Sequence, residues 1–280
     1  MKVLVTGGSG YLGTYVRQFF SADDFSRRVD LNILNDLDAE RVKDYDTVIH
    51  LAAYFDKSPE GAEQCFQTNA DGTRNLVQYM RPGSVFIYAS TKDVYGSHAS
   101  ETEDVAENTS TEYCGQSAFE WSKLIGEQYV QYYAKLNDFR ACIFRMSTVF
   151  ARPSEGNDFG LVTHYVESIK HRQPIRLPAG VDPIRDILYV DDFSRACRAF
   201  MKSSIPFGLY NLGGGRLNAV SLRGIIGRVS KRIEIEPIIE EDPRMPAPVP
   251  LRYVSDITRI DDELDWRPQI GVDPGLQVIL

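Results

Sequence analysis

The sequence predicts an α/β protein: a doubly wound parallel sheet followed by a smaller C-terminal α/β lobe that holds the substrate. Three observations predict it. Through the first 150 residues, apolar runs of strand length alternate with longer stretches of helical spacing, which is how βαβ units around a parallel sheet read. The first of those runs passes straight into a glycine turn, TGGSGYLG at 6–13. After residue 150 the texture becomes polar and rich in proline, which marks a second lobe and a ligand cleft between the two.

In chain order, VLV at 3–5 is the first strand, and residues 11–20 carry helical spacing behind it. TVIHLAA at 47–53, SVFIYAS at 84–90 and RACIFRMSTVF at 140–150 are further buried strands, with helices predicted over 62–80 and 120–136 between them. Beyond Phe150 comes ARPSEGNDFG, and prolines recur at 174, 178, 183, 206, 237, 243, 246, 248 and 250. Proline lacks the amide donor that regular elements need, so loops and extended segments are expected here. GLYNLGGGRLN at 208–218 is a further glycine-rich turn. The two predicted units are 1–150 and 151–280, with room for strand segments of the second to return to the first.

A chain of 280 residues that is 43% hydrophobic and 25% charged has the composition to bury a sizeable core. Its formal net charge of -8 argues against nucleic acid or an anionic membrane as a partner, because the mean field repels both. MKVLVTGG lacks the apolar stretch of a secretory signal, and no run approaches the ~18 apolar residues of a membrane span. Cys65, Cys114, Cys142 and Cys197 lie far apart and have no metal-ligand spacing, so reduced thiols in a cytoplasmic protein are expected. His98, His164 and His171 likewise form no metal-spaced set.

Gly7, Gly10 and Gly13 stand between a strand and a helix, where glycine lets the backbone approach a pyrophosphate at the positive end of the helix. Tyr11 and Leu12 belong to the same turn. Asp30, in RRVDLN, is expected to end the second strand and accept hydrogen bonds from an adenosine ribose, which favours NAD over NADP. Arg27 and Arg28 beside it are the competing groups, suited instead to a 2′-phosphate, so NADP stays open. Asp36 and Leu37 are candidates for the adenine side.

TGGSGYLG, VIHLAA, the asparagine of TNADGTRNL, FIYASTKDVYG, SKLIGEQ, RDILYVDD, YNLGGG and DELDWRPQI occur here in the order and spacing of one family. The chain resembles the extended short-chain dehydrogenases/reductases, in their nucleotide-sugar epimerase and dehydratase branch, over residues 1 to about 265. The resemblance implies a Rossmann sheet, a nicotinamide cofactor, a nucleotide diphosphate sugar as substrate, and a homodimer formed through the helix beginning near Phe119 and the one before it. It also implies that Leu51, Ala52 and Ala53 lie against the cofactor and that Asn69 supports the backbone there. His50 is expected to be a packed strand residue.

The family's reaction begins when a sugar hydroxyl loses its proton while a hydride leaves the carbon. The family's device is a tyrosine one helical turn before a lysine, with a serine or threonine on a neighbouring loop. Lys123 matches the lysine and Thr91 the hydroxyl, but the tyrosine position is Phe119, whose ring neither donates nor accepts a proton. Three readings compete: a Tyr→Phe variant of an ordinary enzyme, a natural enzyme with another acid or base among Lys92, Asp93 and Tyr113, and a relative that only binds the cofactor. In dehydratase relatives the two positions after the threonine carry an acid and a base; here they are Lys92 and Asp93. Arg185 and Arg244 resemble arginines that grip the diphosphate, a task suited to their planar donors. Thr148 stands where relatives commonly have an asparagine. An epimerase or dehydratase is the main expectation, and a nucleotide-sugar reductase or dehydrogenase the alternative.

Overall fold

The computed structural model describes residues 1–153 and 160–280. Its main sheet has six parallel strands: β1 (Val3–Thr6), β2 (Asp23–Phe25), β3 (Thr47–His50), β4 (Val85–Thr91), β5 (Arg140–Met146) and, from the second half of the chain, a strand at Phe207–Leu212. From one edge the order is β2, β1, β3, β4, β5 and Phe207–Leu212. Side chains alternate between two cores. Val3, Val5, Ile49, Val85, Ile87, Cys142 and Phe144 pack on one face, and Leu4, Val48, Phe86, Tyr88, Ala141 and Ile143 on the other. With both faces covered, each strand reads as a continuous apolar run rather than an alternating one.

Helix α1 (Tyr11–Phe20) returns from β1, and the short α2 (Asp36–Ala39) precedes β3. The segment expected to be one helix over 62–80 is α3 (Ala62–Cys65), a π-helical turn at Phe66–Asp71 and α4 (Gly72–Val77). Helix α5 (Ala118–Leu136) packs against α4. The last predicted strand, 140–150, divides at Ser147. β5 ends at Met146, and β6 (Thr148–Phe150) leaves the main sheet to pair with the strand at Ile184–Tyr189.

The second half contains more helix than its prolines suggest. β7 (Ile175–Pro178), β8 (Ile184–Tyr189), β9 (the Phe207–Leu212 strand), β10 (Ala219–Ser221), β11 (Ile239–Asp242) and β12 (Arg252–Tyr253) alternate with α6 (Leu161–Lys170), α7 (Val190–Lys202), α8 (Leu222–Ile233), α9 (Thr258–Leu264) and α10 (Val272–Ile279). Pro174, Pro183, Pro206, Pro237 and the four prolines from 243 to 250 all fall outside these helices, where a missing amide donor costs nothing. The boundary predicted at Phe150 adjoins a stretch, ARPSEGNDFG, most of which lies outside the described residues. Across it β9 pairs with β5, so the second half completes the first half's sheet.

Candidate active site

In this strand order the connections diverge between β1 and β3, and ligands of open α/β sheets bind beyond the carboxyl ends of strands at such a point. A cleft of about 700 Å³ opens there. Gly7 has φ of +68°, and a Cβ on it would stand 2.8 Å from the amide nitrogen of Ala52. At Gly13 a Cβ would stand 2.0 Å from the carbonyl oxygen of Gly7. The turn therefore presses against the end of β3 with no side chain between the first amides of α1 and the cleft, a geometry that fits a pyrophosphate. Gly10, Tyr11, Leu12, Leu51, Ala52 and Ala53 line the same space. The Tyr11 hydroxyl accepts from the amide of Ala151 at 2.7 Å and donates to its carbonyl at 2.9 Å, tying the turn to the residue that follows β6.

The adenosine end differs from the sequence expectation. β2 ends at Phe25, five positions before Asp30; Asp30 itself follows a 3-10 turn (Arg27–Val29), has φ of +58° and is exposed outside the cleft. The missed signal is physical: a three-residue edge strand, DDF, with two aspartates has no apolar run to reveal it. Asp36 also lies outside the lining; its carboxylate accepts from the Tyr79 hydroxyl at 2.7 Å and from Gln78 at 3.2 Å. Leu37 is 77% exposed and outside it as well. Ser26, Arg27, Arg28, Leu31 and Asn32 supply this end instead.

At the opposite end Thr91, Phe119 and Lys123 line the cleft together. Helix α5 starts with a capping box: the Ser117 hydroxyl accepts from the amide of Phe119, and the Glu120 carboxylate accepts from the amide of Ser117 at 2.8 Å. That start sets Phe119 and Lys123 one turn apart on the face toward the cleft. Both are buried, and the exposed Phe55 packs edge-on against Phe119 with ring centroids 4.7 Å apart. Burial draws the Lys123 ammonium down to about 7, against the opposing effect of Glu127, and Nζ stands over the Tyr88 ring at 4.7 Å. Asn69 is fully buried and does not line the cleft. It accepts from the Tyr54 amide at 2.8 Å and donates to the Tyr54 carbonyl at 2.9 Å and the Ser122 hydroxyl at 3.0 Å, so it joins the segment after Ala53 to α5.

Lys92 and Asp93 follow Thr91 and form a salt bridge with each other. The sequence reading missed two partners, Lys57 and Glu120. Lys57 Nζ reaches Asp93 at 2.8 Å and Glu120 at 2.7 Å and stands 6.0 Å from the Phe119 ring centroid. Burial alone would raise Asp93, but Lys92 and Lys57 outweigh it and hold the carboxyl well below the usual carboxylate range. Burial lowers Lys92, with Asp93 opposing. Tyr113 is 71% exposed, stacks on Trp121 and does not line the cleft.

In the second half of the chain, Arg185 is buried in β8, donates to the carbonyls of Ile184 at 2.6 Å and Leu251 at 3.1 Å, and feels the charges of Asp93 and Asp186. Arg244 is not brought to it: the side chain is 90% exposed and pairs with Asp242 at 3.3 Å. Thr148 belongs to β6, and its neighbour Ser147 is the residue that lines the cleft. Ser147 donates to the buried Asp186, which also accepts from the amides of Gly215 at 3.2 Å and Ser255 at 3.1 Å and so anchors the glycine-rich turn after β9. His50 is fully buried between Thr6 at 2.6 Å and Thr73 at 2.9 Å, and burial holds its imidazole well below its ordinary pKa. Among the described residues no helix is long and apolar enough to cross a membrane, and no group of three acidic, histidine or cysteine side chains is placed to hold a metal ion.

Comparison with known proteins agrees with this architecture. CDP-paratose 2-epimerase of Salmonella typhi is 26% identical over 336 residues, covering 99% of this chain and 97% of the relative. UDP-glucuronic acid 4-epimerase from Bacillus cereus, solved with UDP-glucuronic acid and NAD, superposes with a TM-score of 0.83 at 22% identity over 100% of this chain and 98% of its own. RMD from Pseudomonas aeruginosa, solved with NADPH, gives 0.83 at 21% identity over 100% and 98%. The sequence model of one family matches residues 3–213, glycine turn, Thr91, Lys123 and Arg185 included, and the chain belongs to that family, the NAD dependent epimerase/dehydratase family.

Proposed function

We propose that the cleft binds a nicotinamide dinucleotide and that the chain transforms a nucleotide diphosphate sugar through a transient keto intermediate, by epimerisation or dehydration. The observation that carries this reading is that Thr91, Phe119 and Lys123 line the same cleft as the glycine turn. The solved relatives hold NAD in one case and NADPH in another, so the dinucleotide is common ground between them. Bound here, the cofactor supplies a reversible hydride acceptor. Thr91 Oγ1 accepts from the Asp93 amide at 3.2 Å, which leaves its own proton for a sugar oxygen. Lys123, drawn down to about 7, exchanges its proton at neutral pH. Arg185 supplies the cation for the diphosphate, while Thr148, within β6, and Arg244, exposed and paired with Asp242, stand outside the cleft lining.

Two sources of proton transfer compete, and each has an observation behind it. The intact Thr91 and Lys123 fit a site that lacks only a phenol oxygen. The Lys92, Asp93, Lys57 and Glu120 cluster fits a site in which Lys92 protonates a leaving hydroxyl and Asp93 takes the carbon-bound proton. We expect Phe119→Tyr to raise turnover at least ~100-fold, the scale of a positioned general base, with substrate affinity nearly unchanged. If the cluster carries the chemistry, the chain with Phe119 already turns over, and Asp93→Asn stops it. Turnover of nucleotide sugars by the three proteins at equal cofactor occupancy decides. Dinucleotide binding without turnover by any of them would make the chain a binding protein. The compartment we assign is the cytoplasm, with all four cysteines unpaired and three of them buried. The assembly we assign is a homodimer, with Tyr132 and Leu136 of α5, 61% and 60% exposed, in the contact.

A further inference from the structure

Two phenyl rings stand together at the Lys123 end of the cleft. Phe55 is 69% exposed, lines the cleft and packs edge-on against Phe119, which lines it too. The residues on both sides of Phe55 are held. Asn69 bonds the amide and the carbonyl of Tyr54 at 2.8 and 2.9 Å, the carbonyl of Asp56 accepts from the Cys65 thiol at 3.3 Å, and the Lys57 ammonium bridges Asp93 and Glu120. A ring whose neighbours are fixed in this way, in a concave site, offers its apolar surface to a ligand with little ordering left to do.

The polar groups near the rings are engaged with one another. Lys57 and Lys92 share the Asp93 carboxylate, and Glu120 is divided between Lys57 at 2.7 Å and the Ser117 amide at 2.8 Å. Gln64 and Thr68, both in the cleft lining, bond each other at 2.9 Å. Neither phenyl ring carries a donor or an acceptor. A sugar hydroxyl turned toward Phe55 gives up its water and finds no partner, which costs affinity. A carbon bearing only hydrogen at that place buries apolar surface against the ring instead. Thr91 and Lys123, in the same lining, are left for the reacting hydroxyl.

We infer that the nucleotide diphosphate sugar taken by this cleft is a deoxysugar, whose methyl or methylene carbon packs on Phe55 and Phe119 where another sugar carries a hydroxyl. This rests on the nucleotide-sugar reading above and narrows its substrate class. Phe55 sets the choice, since its ring is the more exposed of the two and takes no part in the charged cluster beside it. The preference is graded, because an apolar surface separates ligands that differ by one small group by roughly ten- to a hundredfold and does not exclude the hydroxylated one.

The test is calorimetric titration of the whole chain, with NADH present and no turnover required. The ligands are uridine, thymidine, cytidine and guanosine diphosphate hexoses, each set against the compound lacking its hydroxyl at C3 or at C6. With the nucleoside that binds, the unaltered chain is expected to hold one of the deoxy compounds at least roughly tenfold more tightly than the hexose. Phe55→Leu keeps that preference. Phe55→Ser removes it by lowering affinity for the deoxy compound alone; the position is exposed, so the fold survives the change, and circular dichroism checks it. Equal or tighter binding of the hexose by the unaltered chain overturns the inference and leaves the nucleotide-sugar reading standing. Binding of no nucleotide sugar by a folded chain overturns both. A preference that persists in Phe55→Ser, or a fall in both affinities together, overturns the assignment to Phe55.

Discussion

At Lys123 an ammonium group is enclosed at 4% exposure, and its pKa of about 7 lies far below the ordinary lysine value near 10.4. Burial sets that shift, because the charged form loses its water and gains only the charge of Glu127, one turn along α5. Below pH 7 the folded and unfolded chains both carry the proton, and the cost of burying the charge is fully present. Between about 7 and 10 the unfolded chain keeps a proton that the folded chain has lost, so stability from this group rises with pH. Urea unfolding between pH 7 and 8.5 should therefore show the unaltered chain gaining on Lys123→Met, by at most about 1.4 kcal/mol per pH unit. Parallel curves for the two proteins would mean that Lys123 titrates as an ordinary lysine. The range stops at 8.5 because burial raises the Cys142 and Cys197 thiols, which act in the opposite direction above it.

Two element junctions hold the cleft in shape. Where α5 crosses β5, Arg145 pairs with Glu127, Nη2 to Oε2 at 2.7 Å and Nε to Oε1 at 3.0 Å, with both side chains buried and Ser90 of β4 on the same carboxylate. Arg145→Met removes one charge and leaves the other enclosed without its partner, which should cost about 3–5 kcal/mol in chemical denaturation. A loss below about 1 kcal/mol would show that water reaches Glu127. The other junction is the turn between β1 and α1. Gly10→Val places branched carbons where a Cβ already meets the Gly7 carbonyl at 3.0 Å, in the space through which the backbone faces the cleft. Dinucleotide binding should be lost while circular dichroism stays native. Unchanged affinity would remove the pyrophosphate from this turn.

For the whole molecule, the outer face of α5 bears on association. Helix α5 buries Val130 and Ala134 against the sheet, while Tyr132 and Leu136 point outward at 61% and 60% exposure. Burial of that stripe against a second copy would remove it from water in a pairing of like helices. Light scattering at micromolar concentration should give a dimer for the unaltered chain and a monomer for Tyr132→Glu with Leu136→Glu. A monomer in both cases would leave the stripe without that role. The fold itself was largely readable: the six strands of the main sheet include every apolar run predicted before residue 147, since strands covered on both faces cannot tolerate polar interruption. What escaped reading was the charged edge strand Asp23–Phe25, the π-helical turn before α4 and the helices between the prolines.

By itself the sequence determined the parallel sheet, the glycine turn on α1, the one-turn spacing of Phe119 and Lys123, and membership of the family, because each depends on residues close together in the chain or on apolar periodicity. Tertiary structure alone decided which charges meet. Lys57 lies 36 positions from Asp93 and 63 from Glu120, yet bridges both beside Phe119. Arg27 and Arg28 face the cleft while Asp30, two residues on, does not, since the 3-10 turn directs them apart. Charge pairing across a fold is set by where backbones pass each other, and no local pattern of residues encodes that passage.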